Sequence, residues 1–357
     1  MRTHPNDSPI QGGHDFQKSM GIGTPKVSVL VINYNGQALV VNCLTALERQ
    51  LFKDFEIILI DNGSSDGSLD EVQKFLEESP IATPVKLICL DRNLGFPGGN
   101  LEGLRYAKGE HIALLNNDTE PDEEWLGELV KAMDIDPKVG ICASKLIVQG
   151  TNIIDSAGDG FSTALRGFKR GEGEKASLFN KREYIFGACA GAALYKRKMI
   201  DQIGFLDEEF FLINEDTDLN LRAQLYGWRV LYVPTALVYH RVRSSIGNMS
   251  TMAVYYTLRN SELARIKNIP LFLFLRCLPV FILGMVSEFI YFAIKHRYLP
   301  IYFKAKIDAI RMLPVMLKKR KVNFEGAKVD SKDLRKIMTP VFERSFFTNK
   351  LKKFVFE

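Results

Sequence analysis

The sequence predicts an α/β protein built on a parallel β-sheet with helices on both faces, and three observations carry this prediction. Apolar, β-branched runs recur through the first third of the chain, as expected for strands that are buried on both faces. Helical patterns separate these runs, which is typical of a parallel sheet. Polar loops follow each run. The predicted strands are residues 27–32 (VSVLVI), 56–60 (EIILI), 85–90 (VKLICL) and 111–115 (HIALL).

Helices are predicted between these strands. Residues 37–50 carry apolar side chains at helical spacing, a second helix runs to about residue 77, and a third covers residues 100–107. Pro121 is expected to open a fourth, because proline is tolerated in a first helical turn. Farther along, the sequence predicts a strand at 141–148, a glycine-rich mobile loop at 151–175, a helix at 216–226 and short strands at 229–233 and 237–239.

The polar loops should meet in one cleft. They cover residues 33–35, 61–66, 91–99 and 116–118, each directly after a predicted strand. In open parallel sheets, ligands bind outside the carboxyl ends of the strands. We therefore expect the candidate site at this edge of the sheet.

Composition excludes several classes of protein. The 357 residues are 46% hydrophobic and 25% charged, which rules out wholesale disorder, a collagen-like repeat and a polytopic membrane protein. The five cysteines form no C-x-x-C pair and are predicted to be free thiols in a reducing compartment. Residues 1–24 are polar, lack the apolar core of a signal peptide, and are predicted to be a disordered leader.

Charge divides the chain. Residues 261–357 contain 20 Lys and Arg against 8 Asp and Glu, although the whole chain has a net charge of only +5. We therefore expect a main domain at 25–260 and a basic, aromatic-rich helical extension at 261–357. Residues 271–294 are apolar but interrupted by Arg276, Pro279 and Glu288, so a simple spanning helix is not expected. The extension instead suits an anionic membrane surface, with an oligomer interface or a helical cap as the alternative.

Two strand ends carry candidate ligands. Asp118 closes Asn116-Asn117-Asp118, where a carboxylate flanked by amides can hold Mg²⁺ or Mn²⁺. A turn followed by a helix cap is the alternative for this motif. Asp61 ends its strand before a glycine- and serine-rich loop, and its carboxylate can accept hydrogen bonds from a base or a ribose.

Three further segments are candidates for binding or catalysis. Residues 91–100 are glycine-rich and can approach a phosphate closely, although they match neither a Walker A nor a Rossmann fingerprint. Residues 214–218 place three acids at a helix start, which predicts either a general base or favourable interaction with the helix dipole. His240 is followed by Arg241 and Arg243, a pattern that suits a metal or phosphate ligand better than a structural histidine.

Together, these motifs resemble the inverting family 2 glycosyltransferases of the GT-A fold, and within them the rhamnosyltransferase-like branch. The resemblance covers about residues 26–260. Each motif alone is modest, but their order is specific. The motifs are VSVLVINYN, IILIDNGSSDGS, NLGFPGGN, LLNNDT, GAALYKR, GFLDEEFF, NEDTDLNLR and VYH.

The resemblance implies a nucleotide-diphosphate sugar donor, a divalent metal and inversion at the anomeric carbon. Asp118 and His240 would bind the metal, and Asp216, with Glu215 beside it, would deprotonate the acceptor hydroxyl. Asn116 stands where the family has the first acid of its DxD motif, as in the rhamnosyltransferase-like branch, and this leaves strict metal dependence open. The residues that would contact the nucleotide sugar are Asn33, Tyr34, Asn35, Asp61, Asn93, Gly95, Gly98, Asn116, Asn117 and Arg243.

The same resemblance implies a cytoplasmic enzyme on the inner face of the cell membrane. Its acceptor would be a glycan or a lipid-linked sugar, its branch-level donor dTDP-rhamnose, and residues 158–173 would close over the donor. A non-catalytic binding or assembly protein on the same scaffold is the main alternative. A nucleotidyltransferase is disfavoured because no phosphate loop with Arg and Lys follows the first strand. No nucleic-acid partner is expected, since the basic region carries no recognisable motif.

Overall fold

The computed structural model describes the backbone of residues 15–16 and residues 23–78, 82–241 and 249–342. Within these residues, eleven strands form one mixed sheet in the order β1-β4-β3-β2-β5-β12-β7-β13-β11, with β6 and β8 paired at its side. A separate hairpin joins β9 and β10. The strands are β1 Asp15–Phe16, β2 Val27–Asn33, β3 Phe55–Asp61, β4 Val85–Cys89, β5 His111–Asn116, β6 Thr119–Pro121, β7 Val139–Val148, β8 Ile154–Ser156, β9 Asp159–Phe161, β10 Gly167–Lys169, β11 Glu183–Ile185, β12 Ala192–Lys196 and β13 Arg229–His240.

The four predicted parallel strands are confirmed as β2, β3, β4 and β5. Their β-branched side chains are buried because helices cover both faces of the sheet. One core contains Leu44, Leu47 and Trp125, and the other contains Ile58 and Tyr195. The helices are α1 Gln37–Glu48, α2 Ser68–Glu78, α3 Gly95–Leu104, α4 Trp125–Met133, α5 Arg197–Ile203, α6 Glu215–Leu225, α7 Thr251–Asn268, α8 Leu271–Glu288, α9 Leu299–Arg311, α10 Leu313–Glu325 and α11 Ser331–Lys336.

The second half of the sheet is mixed. β12 lies antiparallel between β5 and β7, and β13 runs parallel to β7. The two short strands predicted at 229–233 and 237–239 form the single strand β13, which is irregular between Tyr232 and Leu237. This arrangement brings the end of β13 to the end of β5, through β6.

Three local predictions were wrong. Pro121 ends strand β6 instead of opening a helix, because Thr119–Pro121 pairs with the end of β13. Helix α3 begins at Gly95 instead of residue 100, and a Cβ on Gly99 would lie 2.3 Å from Ile32, so the small residues allow the helix to pack on the sheet. The predicted mobile loop at 151–175 contains strands β8, β9 and β10, and β8 and β9 are buried. The structure therefore does not support closure of residues 158–173 as a lid.

The basic C-terminal region packs on the catalytic half. The predicted boundary after Asn260 falls inside α7, which continues unbroken to Asn268. Two buried ion networks cross the region. The first joins Lys267 to Asp207 at 2.6 Å and to Asp218 at 2.9 Å. The second joins Glu288 to Lys306 at 2.7 Å and to Arg166. Likewise, Asp15–Phe16, in the predicted disordered leader, forms the strand β1 against β4.

Helix α8 is longer than the sequence analysis allowed. It continues through a π-helical segment, Phe289–Lys295, to give one helix of 25 residues, whose most apolar 18-residue window has a mean hydropathy of 2.0. Within the described residues it is the helix that is long and apolar enough to cross a membrane, by length and composition only. The expectation that it is not a simple spanning helix stays a prediction. Pro279 does not break it. Many apolar side chains along α8, α9 and α10 are exposed, including Phe272, Ile282, Leu283, Phe303 and Ile310.

Candidate active site

The floor of the cleft is a hydrogen-bonded set of polar side chains at the carboxyl ends of the parallel strands. Asn33 and Asp61 lie opposite each other in the ladder, and the Asn33 Nδ2 donates to Asp61 Oδ1 at 3.0 Å. Asn117 Nδ2 donates to Asn33 Oδ1 at 2.7 Å. All three side chains are buried. The predicted convergence of these loops is confirmed, and the three residues hold one another in place.

Tyr34 and Asn35 lie at the rim of this floor. Both are exposed, and Asn35 adopts a left-handed conformation with a φ of 51°. Its Oδ1 accepts a hydrogen bond from the Ser65 backbone at 2.8 Å, which ties the loop after β2 to the loop after β3. The ring of Tyr34 is therefore accessible at this rim.

The glycine-rich loop is connected to both halves of the cleft. Asn93 Oδ1 accepts hydrogen bonds from Asn62 Nδ2 at 3.0 Å and from the Gly95 backbone at 2.7 Å. Gly95 has a φ of +75°, and a Cβ there would lie 2.3 Å from the Phe211 carbonyl. Glycine is required at this position by both conformation and space. Gly98 lines a cavity of about 480 Å³ together with Asn93 and Phe211.

Asp118 and His240 meet at the end of β5. His240 pairs with Thr119 in the β6–β13 ladder, and its Nε2 lies 3.2 Å from Asp118 Oδ1. On the other side of the ring, Nδ1 lies 2.8 Å from Asp155 Oδ2. Lys169 Nζ in turn donates to Asp155 at 2.8 Å. This chain of contacts fixes the imidazole, because a carboxylate on Nδ1 leaves Nε2 directed toward Asp118.

The contacts among these side chains favour the charged forms of His240 and Asp155. Burial alone would lower the pKa of His240, but its hydrogen bonds to Asp118 and Asp155 raise that pKa to about 9. Burial would raise the pKa of Asp155, whereas the His240 and Lys169 contacts lower it to about 2. Asp155 therefore remains an anion that orients the histidine.

The Asp118–His240 pair fits a divalent cation. A carboxylate oxygen and an imidazole nitrogen that face each other at 3.2 Å are ligands that Mn²⁺ and Mg²⁺ accept. Among the residues that the structure describes, no group of three or more His, Cys, Asp and Glu side chains forms a metal cage. Two protein ligands match a cation whose remaining positions are filled by substrate phosphate and water. Asn116 lies next to this pair, with its Oδ1 unpaired in the described structure.

Helix α6 presents the acids of residues 214–218, and the three differ in role. Asp218 is fully buried and binds Arg222 Nε at 2.9 Å and Lys267, so it is structural. Glu215 is buried, and burial together with the neighbouring Asp216 raises its pKa to about 8. Asp216 is partly exposed, and burial raises its pKa, although the Thr217 and Ala190 backbone amides that hydrogen-bond to it oppose this. Asp216 is therefore the accessible carboxylate of the three.

Asp216 is close to the strand ends through one short segment. The Ala190 backbone lies near Asp216, where it lowers the pKa of that carboxylate. The carbonyl of the next residue, Gly191, accepts a hydrogen bond from Asn116 N at 2.9 Å. Residues 190–191 thus join the predicted base to the predicted metal- and donor-binding edge.

The loop before α6 is strained and held from α7. Phe211, Ile213 and Asn214 all have positive φ values, which L-residues adopt at a cost. The buried Asn260 side chain donates to three carbonyls of this loop, those of Phe210, Leu212 and Ile213, at 2.7–2.8 Å. Arg259, the residue before Asn260, also holds this loop, since it donates to the Glu209 carbonyl at 2.7 Å.

Sequence reasoning missed part of this site. Asp155, Asp159 and Lys169 lie in the segment that is predicted to be a mobile loop. The sequence signal for the two acids is the motif DSAGDG, in which Asp155 and Asp159 stand beside small residues. Arg243 lies outside the described residues. The other predicted site residues lie at or beside the strand ends described above, and their roles remain predictions.

Comparison with known proteins identifies the domain. Residues 28–204 match the family model described as Glycosyl transferase family 2. This stretch, slightly less than half of the chain, is thus similar to the family 2 glycosyltransferases. It is also 29% identical over 247 residues to the O-antigen biosynthesis protein RfbC of Myxococcus xanthus, a match that covers 66% of this chain but only 19% of that relative.

Solved structures support the fold. A structure of GalNAc-T7 with UDP, GalNAc and Mn²⁺ has a TM-score of 0.55 at 17% identity, covering 68% of this chain and 48% of that one. Residues 1–349 of Staphylococcus aureus TarS with UDP-GlcNAc give a TM-score of 0.53 at 16% identity, covering 91% of this chain and 92% of that one. At these identities the likeness shows the fold alone. It confirms the predicted GT-A architecture, which in this chain is followed by C-terminal helices.

Proposed function

We propose that this chain is an inverting hexosyltransferase in cell-surface polysaccharide synthesis. It transfers a sugar from a nucleotide-diphosphate donor to a hydroxyl group of a glycan or a lipid-linked acceptor. The observation that carries the proposal is that residues 190–191 lie between Asp216 and the strand ends that hold Asn116, Asp118 and His240. The Ala190 backbone is near Asp216, and the Gly191 carbonyl accepts a hydrogen bond from Asn116. RfbC, a relative named for O-antigen biosynthesis, supports the polysaccharide context.

The donor is proposed to be dTDP-rhamnose. Asn116 at the first position of the DxD-like motif supports the rhamnosyltransferase-like branch, and UDP-sugars are the competing donors. The nucleoside is placed over Tyr34, Asn35 and Asp61, and its diphosphate is placed toward Asn93 and Asn116. A Mg²⁺ or Mn²⁺ ion bound by Asp118 and His240 would offset the charge on the diphosphate.

The chain's own residues then perform proton transfer and positioning. Asp216 accepts the proton of the acceptor hydroxyl while that oxygen forms a bond to the anomeric carbon. The bond from this carbon to the diphosphate oxygen breaks, and its electron pair leaves with the nucleoside diphosphate. The configuration at the anomeric carbon is inverted because attack and departure occur on opposite faces. A raised pKa suits Asp216 to this role, since a general base works best near the operating pH.

Donor turnover tests this proposal. We expect dTDP-rhamnose, presented with Mn²⁺ and a panel of UDP-sugars for comparison, to be transferred or hydrolysed by the wild-type chain. Asp216→Asn should lower kcat by roughly 100-fold or more while donor affinity is kept. Asp201→Asn, an exposed acid on α5, is the matched control. Donor binding without turnover in the wild type would favour the non-catalytic binding protein, and full turnover by Asp216→Asn would refute the assignment of the base.

The C-terminal helices are proposed to hold the enzyme on the inner face of the cell membrane. Exposed Phe272, Ile282, Leu283 and Phe303 supply an apolar surface, and the region is strongly basic. Because Glu288 is buried against Arg166 and Lys306, the far end of α8 is fixed to the protein, which supports a peripheral arrangement rather than a span.

Vesicle binding tests the membrane proposal. Ile282→Gln with Leu283→Gln should lower co-sedimentation with phosphatidylglycerol vesicles roughly tenfold, since two exposed apolar side chains that would enter the membrane interface are lost. Leu178→Gln, an equally exposed residue on the catalytic half, should leave binding unchanged. Equal binding by both variants, or a stable oligomer that buries this surface, would contradict the proposal.

A further inference from the structure

Three aromatic rings lead from the cleft to helix α9, and we call Phe211, Tyr256 and Tyr255 the aromatic strip. Phe211 lines the cavity of about 480 Å³ beside Asn93 and Gly98. Its ring stacks on Tyr256 with the centroids 5.3 Å apart, and Tyr256 meets Tyr255 edge-on at 5.1 Å. All three side chains are partly exposed, so a bound molecule can reach the strip along its length.

Two cations lie over the outer end of the aromatic strip. The Arg259 guanidinium is 4.8 Å from the ring centroid of Tyr256 and 5.6 Å from that of Tyr255. Lys304, on α9, holds its Nζ 5.4 Å from the Tyr255 centroid. Lys304 is exposed, and within the part of the chain that the structure describes it forms no ion pair. The rings therefore hold both positive charges at one place on the surface.

The acid on the same face of α9 does not neutralise these cations. Asp308 lies one turn after Lys304, and its Oδ2 accepts a hydrogen bond from the Tyr255 hydroxyl at 2.9 Å. Its Oδ1 accepts a hydrogen bond from Arg311 at 2.8 Å. Because Arg311 balances the charge of Asp308, the outer end of the aromatic strip carries a net positive charge and suits an anion.

An apolar surface follows directly beyond Lys304. Phe303 and Ile307 are exposed on α9, next to Lys304 and three residues after it. From the cleft outward, the surface thus presents a cavity, a pair of cations and an apolar helix face. A saccharide joined to a lipid through a diphosphate carries a sugar, an anion and a hydrocarbon in the same order, whereas a free glycan matches the cavity alone.

We propose that the aromatic strip binds the acceptor as a saccharide linked through a diphosphate to a polyprenyl lipid. The sugar lies in the cavity beside Phe211, the diphosphate faces Arg259 and Lys304, and the lipid lies along Phe303 and Ile307. The inference rests on the proposed function for naming this ligand the acceptor, and it selects the lipid-linked acceptor over a free glycan. Binding of the lipid diphosphate itself requires no transfer reaction.

Calorimetry with farnesyl diphosphate, below its micelle concentration and in EDTA, tests the inference. EDTA removes the cation that the proposed donor site would need to hold a diphosphate. We expect farnesyl diphosphate to bind at least tenfold more tightly than inorganic diphosphate, which has no lipid, or dodecyl maltoside, which has no charge. Lys304→Gln should weaken binding roughly tenfold, since one charged contact is lost.

Two further variants are the controls. Lys304→Arg keeps the charge and should bind within about threefold of the wild type. Lys332→Gln removes an exposed lysine of α11 in the same basic region and should match the wild type. Equal affinity for inorganic diphosphate, or equal losses in Lys304→Gln and Lys332→Gln, would show general attraction of anions and overturn the inference.

The binding measurement is independent of turnover. A wild-type chain that binds farnesyl diphosphate as described but transfers no sugar would refute the proposed function and support the lipid diphosphate site. An active transferase that does not bind farnesyl diphosphate would overturn this inference alone.

Discussion

Metal binding by Asp118 and His240 is expected to strengthen as the pH rises. The pKa of His240 is raised to about 9 by its two carboxylate partners, so near neutral pH its ring is a cation that must lose a proton before Nε2 can bind a metal. Below that pKa, the apparent affinity should rise about tenfold for each pH unit. Between pH 6.5 and 8.5 the gain is therefore about 100-fold, or about 2.7 kcal/mol.

Calorimetric titration of Mn²⁺ in the presence of dTDP measures this dependence. The matched variant is His240→Gln, which keeps a polar side chain without a titrating ring and should bind more weakly. Any pH dependence that belongs to the nucleotide is common to both proteins, so the difference between the two slopes reports the histidine. A wild-type affinity that is flat over this range, or an equal slope in His240→Gln, would refute this reasoning.

Three other predictions concern the frame around the base. Asn260→Ala leaves three carbonyls of the strained loop without their donor and should cost about 2–4 kcal/mol of unfolding free energy in urea, with a lower kcat; unchanged stability would show that the loop needs no such support. Asp218→Asn leaves Lys267 without this carboxylate and should lower the free energy of unfolding by about 3–5 kcal/mol. Because the pKa of Asp218 is lowered to about 2, the wild type should lose this contribution only as the pH falls from about 4 through 2 in acid unfolding. Loss of the contribution near neutral pH would contradict this prediction. Gly95→Ala should lower the melting temperature, and a melting temperature equal to that of the wild type would show that the close contact with Phe211 is relieved without cost.

The parallel half of the fold was predictable because local pattern and burial agree there. Strands β2 to β5 are continuous apolar runs, and their ends carry the polar residues that meet in the cleft. Beyond β7, pairing between distant segments decides the structure. Pro121 is a strand residue because β13 returns to pair with it, and no local signal at 119–121 encodes that partner.

The glycine-rich segments were misread for a related reason. The glycines within residues 95–99 predict a loop, whereas in the structure they let α3 approach the sheet. The polar composition of residues 151–175 predicts a mobile loop, yet Asp155 and Asp159 are buried there, and Asp155 contacts His240. Buried carboxylates with specific partners cannot be told from exposed ones by composition.

The most direct test of the account is donor binding with and without metal. In a thermal-shift panel of nucleotide diphosphates and nucleotide sugars, a ligand that binds the native state raises the melting temperature by mass action. We predict a shift with dTDP-rhamnose that requires Mn²⁺ or Mg²⁺ and is lost in Asp118→Asn. No shift with any nucleotide sugar in the presence of either cation would contradict the central claim.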